Sequence, residues 1–435
     1  MIKEIKKALA AVPSCVGVYI AFIPFRYRLG KNYTFYKNSA SVFKDESFVF
    51  HKMKSLVCFC EREIPFYRYF YAKKGFSSAS LNSFDDLKKI PILTKSDLQE
   101  SSFEDRVFNS GKSGIITNTG GTSGQPLKLM IDSNAYAREW GHMHTIWERL
   151  GYRTNCVKLT IRGMNLGEKP LVYNFVHNEF QVNAYCDFDL VLKSLDKVLD
   201  KYKIEYFHGY PSGIYEFVKQ LSESDAGLLG RLKKNLKGVF FGSEYPAVIY
   251  RDYIESELSV STISWYGHTE MAVLAAEKGE PFLYYPFQSY GFTESIEIDG
   301  KYHLVGTTID NYFGPLVRYD TGDLIEPVSY RNGLLESFKI KEGRVGEFVT
   351  DLNGRRISLT ALIFGRHHEI FEYANFIQVK QIEAGRLTVY VTTSKEDLDF
   401  SKLFDSSGIN MFIDFVVIKK PYKTKSGKVS LLIRD

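Results

Sequence analysis

Cysteine is scarce in this chain. Its 435 residues include five cysteines, of which Cys58 and Cys60 form a Cys-x-Cys pair, and no Cys-x2-Cys pair occurs. Zinc sites and disulfide frameworks both need denser or differently spaced cysteines. We therefore expect neither, interpret Cys58 and Cys60 as helix residues of the core, and predict a reducing, cytoplasmic location.

Long runs of one charge sign are also missing. The net charge of +5 is a mild excess for this length, whereas nucleic-acid-binding domains usually carry clustered cations. We therefore expect no nucleic-acid partner. A positive balance does suit an anionic substrate such as a nucleotide.

An uninterrupted hydrophobic run of membrane-spanning length is missing as well. Residues 8–25 are uncharged and follow three lysines, as in a signal sequence or a short span, but Pro13 and Pro24 interrupt them. A spanning helix needs about 20 mostly apolar residues, and no small-x-small cleavage site precedes a mature start. We predict no integral span and expect an N-terminal helix docked on the body, with peripheral membrane contact through residues 8–25 as an alternative.

A Walker phosphate loop is absent too. The chain instead carries a loop rich in Thr, Ser and Gly, with the sequence Thr117-Asn118-Thr119-Gly120-Gly121-Thr122-Ser123-Gly124-Gln125-Pro126. Glycines let successive backbone N–H groups turn toward anionic oxygens, and the hydroxyls add further donors. This composition is typical of a phosphate cradle and equally of a flexible surface loop.

The length predicts two or more domains, because single hydrophobic cores stop growing at about 250 to 300 residues. In the middle of the chain, strand and helix patterns alternate, which predicts β-turn-α units and a parallel sheet. The predicted strands are 157–161, 204–208, 238–241 and 262–265, and the predicted helices are 190–202, 213–221 and 247–258. Ligands bind at the carboxyl ends of such strands, here residues 209–212, 242–244 and 266–270.

The pattern changes to short strands after residue 295. Asp299-Gly300 and Asn353-Gly354 favour type I′ hairpins, and a helix candidate over 359–373 precedes β-rich runs at 376–382, 387–392 and 412–418. We predict that residues 1–343 form a large domain that binds nucleotide and carboxylate, with a helical lead-in over 1–100. Residues 344–435 would form a small α+β domain of about 90 residues.

Further motifs carry candidate chemistry. Tyr266-Gly267-His268-Thr269-Glu270, at a predicted strand end, offers an aromatic ring that can stack on a base and a carboxylate suited to Mg²⁺. Tyr319-Asp320-Thr321-Gly322-Asp323 presents a carboxylate that could accept both hydroxyls of a ribose. Gly343-Arg344 lies at the predicted domain boundary, and Lys428 of Ser426-Gly427-Lys428 could neutralise a phosphoryl centre. Taken alone, His268 indicates a structural histidine and Lys428 a solvated lysine.

The order of these motifs resembles the adenylate-forming superfamily of acyl-CoA ligases and related enzymes, from about Ile64 to the end of the chain. Within it, the chain resembles the phenylacetate-CoA ligase branch and its CapK-like capsular polysaccharide subgroup. The residues that carry this are Ile64-Pro65-Phe66-Tyr67-Arg68, Leu93-Thr94-Lys95, Gly209-Tyr210-Pro211-Ser212, Gly343-Arg344 and Asn353-Gly354-Arg355. The resemblance implies an α/β fold with a large adenylate-forming domain of mixed and parallel sheets and a small, mobile α+β C-terminal domain.

The resemblance also implies roles for individual residues. Those that would bind ATP are Thr119, Gly120, Gly121, Thr122, Ser123 and Gly124 at the pyrophosphate end, Gly242, Ser243, Glu244, Tyr266, Gly267 and Thr269 near adenine, and Asp323 and Arg344 at the ribose. Glu270 would bind Mg²⁺. Lys428 would contact the carboxylate and the α-phosphate in the first half-reaction and leave when the small domain rotates. Tyr210 and Pro211 are candidates for lining the acid pocket.

The activity implied is ATP-dependent adenylation of a small-molecule carboxylic acid, followed by acyl transfer. We expect the acceptor to be the amine of a nucleotide-linked amino sugar in surface polysaccharide synthesis, and coenzyme A, giving a thioester, is the alternative. The family loop usually reads Ser-Gly-Thr-Thr-Gly-Lys-Pro, and here Gly120 replaces its first serine and Gln125 its lysine. These departures motivate a further alternative, a non-catalytic nucleotide-binding or scaffold protein, unless Lys128 supplies the missing charge.

Overall fold

The protein was analysed as a computed structural model, which describes residues 12–108, 114–118, 127–341, 347–364, 366, 368–393, 395, 398–422 and 431–433. Three groups of predicted site residues lie outside the described residues: the phosphate loop at 119–126, Gly343-Arg344, and Ser426-Gly427-Lys428.

The α-helices of the described residues fall into a helical lead-in, the crossover helices of a central sheet and a C-terminal unit. They are α1 Ser14–Ile20, α2 Phe25–Leu29, α3 Lys31–Ala40, α4 Glu46–Glu63, α5 Pro65–Lys73, α6 Lys95–Gln99, α7 Ala135–Trp147, α8 Phe188–Leu199, α9 Pro211–Ser224, α10 Ala226–Lys233, α11 Val248–Leu258, α12 Leu359–Phe364 and α13 Phe400–Leu403. Short 3-10 helices lie at Ser78–Ser80, Phe84–Lys89, Glu104–Arg106, Glu148–Leu150 and Glu369–Glu372.

The strands build one large sheet and three small ones. They are β1 Ile115–Asn118, β2 Lys128–Ile131, β3 Val157–Met164, β4 Leu171–Asn174, β5 Glu179–Asn183, β6 Ile204–Gly209, β7 Gly238–Phe241, β8 Ser261–Gly267, β9 Leu274–Glu277, β10 Tyr284–Pro286, β11 Phe292–Ile298, β12 Lys301–Thr307, β13 Tyr319–Arg331, β14 Leu334–Ile340, β15 Phe348–Thr350, β16 Arg356–Ser358, β17 Phe376–Glu383, β18 Arg386–Thr392 and β19 Phe412–Ile418. The large sheet has the order β11-β12-β13-β14-β10-β9-β8-β7-β6-β3-β5-β4, and β1-β2, β15-β16 and β17-β18-β19 form the others.

The middle of the large sheet is parallel. Strand β3 pairs in parallel with β5 and β6, and the parallel pairing continues through β7 to β8. Alternate side chains enter two cores: Phe207 and Phe241 pack with α8 to α11 on one face, and Phe240 stacks on Trp147 of α7 on the other, with ring centroids 4.7 Å apart. Helices on both faces explain why these strands are apolar runs without alternation. The predicted parallel sheet is confirmed.

The helical lead-in packs on the antiparallel end of the large sheet. Helices α4 and α5, separated at Ile64, share a core with Ile309, Leu316 and Tyr319. The Tyr67 hydroxyl donates to the Pro315 carbonyl at 2.8 Å and accepts the Val317 N–H at 3.0 Å. Because Pro65 occupies the first turn of α5, where a missing N–H costs nothing, it starts a helix here and does not break one.

The described residues from Glu347 onward form the C-terminal unit, whose core also includes Tyr185 of the body. The sheet β17-β18-β19, with β19 parallel to β18, packs with α12, α13 and the 3-10 helix Glu369–Glu372. Arg356 of β16 forms a salt bridge with Glu216 of α9, and the Asn165 amide donates to Ser407 Oγ at 2.8 Å. The division of the chain at residues 343 and 344 falls between described ranges and stays a prediction.

Of three local predictions for this half of the chain, one is confirmed, one is confirmed as a hairpin but not in its turn type, and one is wrong in its length. Asp299 and Gly300 both have positive φ, 51° and 73°, as the predicted type I′ turn requires. At Asn353-Gly354 the predicted hairpin forms between β15 and β16, but only Gly354 has a positive φ, because Asp351 accepts the Asn353 and Arg355 N–H groups, each at 2.9 Å, and stabilises a five-residue loop. The helix predicted over 359–373 ends at Phe364, and the chain resumes as the short 3-10 helix Glu369–Glu372.

The two remaining predictions concern the N-terminus and the cysteines. None of the described helices is long and apolar enough to cross a bilayer, and α1 docks on the body through Gly17, against Tyr173 and Phe175. All five cysteines are free thiols. Both Cys58 and Cys60 lie on α4; Cys60 is buried, as predicted, whereas Cys58 is half-buried.

Candidate active site

The candidate site lies where strands β6, β7 and β8 end. Gly209 is opposite Phe241, and Phe241 is opposite Ser264, so the three strands run in register and in the same direction. The residues at and just after these ends, which include Tyr266 and Gly242, are therefore collected along one edge of the sheet. This is the edge that parallel α/β sheets offer to ligands.

Tyr266 and Asp323 are in direct contact. The Tyr266 hydroxyl donates to Asp323 Oδ2 at 2.6 Å, although the two residues are 57 positions apart. Burial and the neighbouring Asp323 raise the pKa of the Tyr266 phenol, so it remains a hydrogen-bond donor at neutral pH. The two residues predicted to bind adenine and ribose are thus neighbours.

Glu270 is held by His268. Glu270 Oε2 lies 3.0 Å from His268 Nδ1, and His268 Nε2 accepts the Val273 N–H at 3.2 Å. A backbone N–H can only donate, so the proton of the neutral ring is assigned to Nδ1, where it points at the carboxylate. Burial alone would raise the pKa of Glu270, but the hydrogen bond from His268, with a smaller effect of Lys95, leaves that pKa lowered. Glu270 is therefore ionised at neutral pH.

Lys95 lies close to the same carboxylate. Leu93 forms an isolated parallel bridge with Tyr319: its N–H donates to the Arg318 carbonyl at 3.0 Å, and its carbonyl accepts the Asp320 N–H at 2.8 Å. This fixes the start of α6 beside β13, and Tyr319 in turn donates its hydroxyl to Glu270 Oε1 at 3.4 Å. Burial lowers the pKa of Lys95, and the nearby Glu270 opposes that shift. A cation therefore lies at the site.

The position of Glu270 suits a magnesium ion. A carboxylate offers about four acceptor positions, and its two described side-chain hydrogen bonds occupy two of them. Nucleotide-bound Mg²⁺ commonly takes one or two carboxylates and completes its coordination with phosphate oxygens and water. The described residues contain no group of three or more His, Cys, Asp or Glu side chains arranged for a metal ion.

Gly242 is required by a close approach of an aromatic ring. A Cβ at this position would lie 2.1 Å from Cζ2 of Trp265, so the indole covers the backbone there. The next residue, Ser243, is exposed and has a positive φ of 67°. The Gly242 backbone is therefore occupied by the indole, and the exposed backbone that a flat ligand could approach at this sheet edge begins at Ser243.

The carboxylate of Glu244 is directed elsewhere. Glu244 is buried, and its Oε2 accepts the Ser212 hydroxyl at 2.6 Å and the Ser212 N–H at 3.3 Å, at the first turn of α9. Its other oxygen lies 3.5 Å from Ser358 Oγ of β16. The side chain thus connects the sheet edge with the C-terminal unit, and Glu244 can contact a base only through its backbone.

The candidate acid pocket contains polar groups that the sequence did not indicate. Tyr210 and Pro211 are buried just after the end of β6, and His208, two residues before Tyr210, lies between Trp147 and Trp265, at ring-centroid distances of 5.0 Å and 5.6 Å. His208 Nδ1 and Trp147 Nε1 are buried and have no hydrogen-bond partner among the described residues. Burial, and secondarily the charge of Arg162, holds the pKa of His208 well below its usual value.

A groove of about 620 Å³ lies between the body and the C-terminal unit. Its lining is mostly polar and includes two aromatic rings: Tyr185, Asp187, Phe188, Gln220, Asn353, Gly354, Arg355, Gly408, Ile409 and Asn410. Asn410 donates to Asn353 at 3.1 Å, and Arg355 donates to the Cys186 carbonyl at 3.1 Å. Gln220 follows Ser212 by two turns of α9, about 12 Å at 1.5 Å per residue.

The structure therefore brings together Tyr266, Glu270 and Asp323 and adds His268 and Lys95. Gly267 and Thr269 lie between them on the exposed rim. Lys128, considered as a replacement for the missing loop lysine, is exposed on β2, with its Nζ 4.4 Å from the centre of the Phe103 ring. Lys95 belongs to the Leu93-Thr94-Lys95 motif. The sequence does not indicate that Leu93 of this motif pairs with Tyr319, which is what places Lys95 near Glu270.

The chain is similar to known proteins in sequence and in fold. Protein CapK of Staphylococcus aureus is 22% identical over 403 residues, which cover 87% of this chain and 86% of CapK. Indoleacetate–lysine synthetase of Pseudomonas savastanoi is 25% identical over 253 residues, 57% of this chain and 60% of the synthetase. The solved structure of 2-hydroxyisobutyryl-CoA ligase with 2-HIB-AMP and CoA aligns over 89% of each chain, with a TM-score of 0.55 and 17% identity. No family model matches the chain.

The fold is that of adenylate-forming ligases, and the predicted α/β fold class is confirmed. In sequence the chain is similar to CapK over most of both chains and to the lysine synthetase over a little more than half of each. In fold it is similar to a ligase that was solved with an acyl-AMP.

Proposed function

We propose that the protein adenylates a carboxylic acid with MgATP and then transfers the acyl group to an amine, forming an amide. In the first step a carboxylate oxygen attacks the α-phosphorus, the bond to the bridging oxygen of the β-phosphate breaks, and pyrophosphate leaves. In the second step the amine nitrogen attacks the acyl carbon, the carbon–oxygen bond to AMP breaks, and the amine loses a proton. Neither step needs a covalent bond to the protein.

One observation carries the first half of this proposal: an ionised, half-buried Glu270 and a half-buried Lys95 lie near the Tyr266–Asp323 pair at the carboxyl edge of a parallel sheet. Asp323 would accept the ribose hydroxyls, and Tyr266 would stack on the adenine base with the backbone of residues 242–244. Lys95 would lie near the phosphates and compensate for Gln125, which replaces the lysine of the family loop. Preorganised charges of this kind stabilise phosphoryl transfer without moving during the reaction.

Glu270 would hold the magnesium ion, with His268 orienting the carboxylate. When bound, the ion would neutralise charge on the phosphate oxygens. Histidine supports of this kind usually change metal affinity or activity by about 10- to 100-fold when they are removed.

The remaining family positions keep their predicted roles as part of the proposal. The loop Thr119 to Gly124 would bind the pyrophosphate end of ATP, and Arg344 would join Asp323 at the ribose. Lys428 would contact the carboxylate and the α-phosphate during adenylation. Rotation of the C-terminal domain would then remove Lys428 before acyl transfer.

The acid pocket would lie beside Tyr210 and Pro211, in front of His208. The unpaired nitrogens of His208 and Trp147 favour an acid that carries a hydrogen-bonding substituent, because a purely apolar acid would leave both groups buried without partners. The rings of Trp147 and Trp265 would cover the flat faces of that acid. A panel of hydroxylated and unsubstituted acids of equal length tests this preference through pyrophosphate release.

An amine acceptor is favoured over a thiol by two observations. The name of the Pseudomonas relative states that it joins indoleacetate to lysine, an amine. The groove at the C-terminal unit offers Asp187 to an ammonium group, Arg355 to a phosphate, and amides such as Asn410 to hydroxyls. A nucleotide-linked amino sugar carries all three kinds of group, and such an acceptor would place the protein in surface polysaccharide synthesis.

Two measurements test the proposal. ATP–pyrophosphate exchange with a panel of acids measures the first half-reaction, and Lys428→Ala should lower it about 10²- to 10³-fold while leaving the transfer from preformed acyl-AMP largely intact. Exchange that is undiminished in Lys428→Ala contradicts the assigned mechanism, and no pyrophosphate release with any acid favours a non-catalytic nucleotide-binding protein.

The mass of the product made with either coenzyme A or amino-sugar nucleotides identifies the acceptor. Asn410→Ala should lower the amide yield without changing pyrophosphate exchange, and Asn38→Ala, on an exposed part of α3, is the matched control. A thioester as the only product contradicts the amine assignment.

A further inference from the structure

The N-terminal segment has a charge distribution unlike the rest of the chain. Residues 5–44 contain seven Lys or Arg and no Asp or Glu, and residues 1–44 contain eight Lys or Arg and one Glu. The first 44 residues thus carry a net charge of +7, whereas the whole chain carries +5, so all later residues together carry −2. The positive balance of the protein resides entirely in this segment.

The same segment exposes large apolar side chains. On α1, on α2 and in the turn between them, the exposed ones are Val16, Tyr19, Phe22, Ile23 and Tyr27, which we call the apolar N-terminal patch. Tyr19, Phe22 and Tyr27 are 74%, 67% and 68% exposed. Isolated exposed apolar residues are ordinary, but five within twelve consecutive residues form a cluster that usually marks an interaction surface.

The patch is held outward by contacts on the opposite side of the segment. Phe25 is buried, with its ring centroid 4.6 Å from that of His144, and Arg28 donates to the Val176 carbonyl at 2.8 Å. Gly17 lies against Tyr173, and a Cβ there would be 2.3 Å from that ring. Because these contacts fix the backbone, the aromatic side chains on the other side cannot turn into the core.

The patch contains a cation, and further cations flank it in the sequence. Arg26 is exposed within it and donates to the Tyr27 hydroxyl at 3.0 Å, three lysines precede it in the sequence, and Lys31 follows it. Surfaces that bind anionic bilayers combine Lys and Arg with aromatic and aliphatic side chains at the depth of the headgroups. A protein partner would need a matching acidic and apolar face, whereas an anionic bilayer supplies both properties everywhere.

We propose that the apolar N-terminal patch is a membrane-docking surface that binds the interface of anionic bilayers without crossing them. Tyr19, Phe22 and Ile23 insert among the headgroups, and Arg26 with the neighbouring lysines is attracted to the negative surface. Two signals of moderate strength, apolar insertion and charge, suffice for reversible peripheral binding.

The test is co-sedimentation of the full chain with vesicles of phosphatidylcholine alone and of phosphatidylcholine with phosphatidylglycerol. We expect binding only to the anionic vesicles, and weaker binding as salt rises, because surface charges are screened within about 8 Å at physiological ionic strength. Arg26→Gln should weaken binding about 5-fold, the factor for one cation near such a surface, whereas Lys278→Gln, at an exposed position elsewhere, should not.

The apolar contribution is tested by the triple variant Tyr19→Ser, Phe22→Ser, Ile23→Ser. It should lose vesicle binding while its melting temperature and ATP–pyrophosphate exchange stay unchanged, and Val248→Ser with Ile249→Ser, two exposed apolar residues of α11, is the matched control. Absence of wild-type binding to anionic vesicles overturns the proposal. Vesicle binding that survives in the triple variant also overturns it. A triple variant that keeps vesicle binding but loses self-association or binding to a protein partner does the same.

Discussion

His268 Nδ1 lies 3.0 Å from Glu270 Oε2, while Nε2 of the same ring accepts the Val273 N–H at 3.2 Å. The ring is therefore fixed at both nitrogens, and its proton faces the carboxylate. Burial without this contact would favour the neutral acid, yet the pKa of Glu270 is lowered. His268 thus keeps Glu270 charged and oriented, and in this arrangement it is a supporting residue and not a general base.

Replacement of His268 by Ala should lower adenylation about 10- to 100-fold, as is usual for supports of metal-binding side chains. The pKa of Glu270 should rise, because burial is then opposed only by a backbone hydrogen bond and the charge of Lys95. The variant should need more Mg²⁺ and lose activity at a higher pH than the wild type does as the solution is acidified. Pyrophosphate exchange measured over a range of MgCl₂ and pH tests this, with the exposed His51→Ala as control. An unaltered Mg²⁺ dependence would contradict the assignment.

Tyr266→Phe should weaken ATP binding with little effect on folding. The variant removes the 2.6 Å hydrogen bond that orients Asp323, and a hydrogen bond to a charged group contributes about 1.5 to 3 kcal/mol. A rise of about tenfold in the KM for ATP, the lower end of that range, is expected. Tyr69→Phe, at a tyrosine that is 68% exposed, should leave the KM unchanged. If the KM of Tyr266→Phe equals that of the wild type, Asp323 does not depend on Tyr266.

Lys95→Met should reduce the rate of adenylation about 10²- to 10³-fold, the usual loss for one preorganised charge. Methionine keeps the length of the side chain, so the packing of α6 on β13 should persist. Lys128→Met is the matched control, because Lys128 is exposed beside Phe103. Single-turnover formation of acyl-AMP measures the effect. Equal rates for the two variants would assign the compensating charge to neither lysine.

The example of Lys95 explains which parts of the site the sequence could predict. Motifs within one strand end, such as Tyr266 to Glu270, combine residues that are adjacent in the chain, and the β-turn-α periodicity places them at the sheet edge. Lys95 reaches Glu270 only because Leu93 pairs with Tyr319, more than 200 positions away. Periodicity carries no information about such a pairing.

The same reasoning applies to the local errors. Asp299-Gly300 forms its predicted turn because the backbone conformations of these two residues determine the turn. Their φ angles are 51° and 73°. Asn353-Gly354 has the same kind of dipeptide, but the Asp351 side chain offers the loop N–H groups a competing acceptor. Here a side chain that accepts hydrogen bonds from the loop N–H groups outweighs the preference of the dipeptide. A rule based on the dipeptide alone does not take such a side chain into account.

Gly242→Ala should disturb the site by moving an indole ring. The added Cβ would lie 2.1 Å from Trp265, and overpacking of this kind usually costs about 1 to 3 kcal/mol. Because Trp265 precedes Tyr266, adenylation should fall together with the melting temperature. Gly230→Ala is the control: its Cβ meets nothing within 4 Å, and alanine within α10 should stabilise the protein by about 0.5 to 1 kcal/mol. A melting temperature for Gly242→Ala at or above that of the wild type would contradict the close approach of Trp265.

Stability should fall as the pH drops from about 6.5 to about 4, in part because of His142. Burial lowers the pKa of His142 from 6.5 to about 4, and its ring donates to the Arg138 carbonyl at 2.8 Å and accepts from Ser289 at 2.9 Å. The folded state therefore keeps the ring neutral, whereas the unfolded chain binds a proton below pH 6.5. Proton uptake by the unfolded state lowers the free energy of unfolding as pH falls, by about 3 kcal/mol for this shift, and the loss ends near pH 4.

Urea unfolding of the wild type, His142→Gln and His51→Gln at pH 7 and pH 4.5 measures this contribution. His142→Gln should be less stable than the wild type at pH 7, since its hydrogen bonds are imperfectly replaced, yet lose less stability between the two pH values. His144, which is buried and accepts the Tyr33 hydroxyl at 2.8 Å, also has a pKa well below its usual value because of burial, so part of the slope should remain. His51→Gln should follow the wild type, because His51 is exposed. Parallel slopes for the wild type and His142→Gln would show that the His142 ring does not resist protonation in the folded protein.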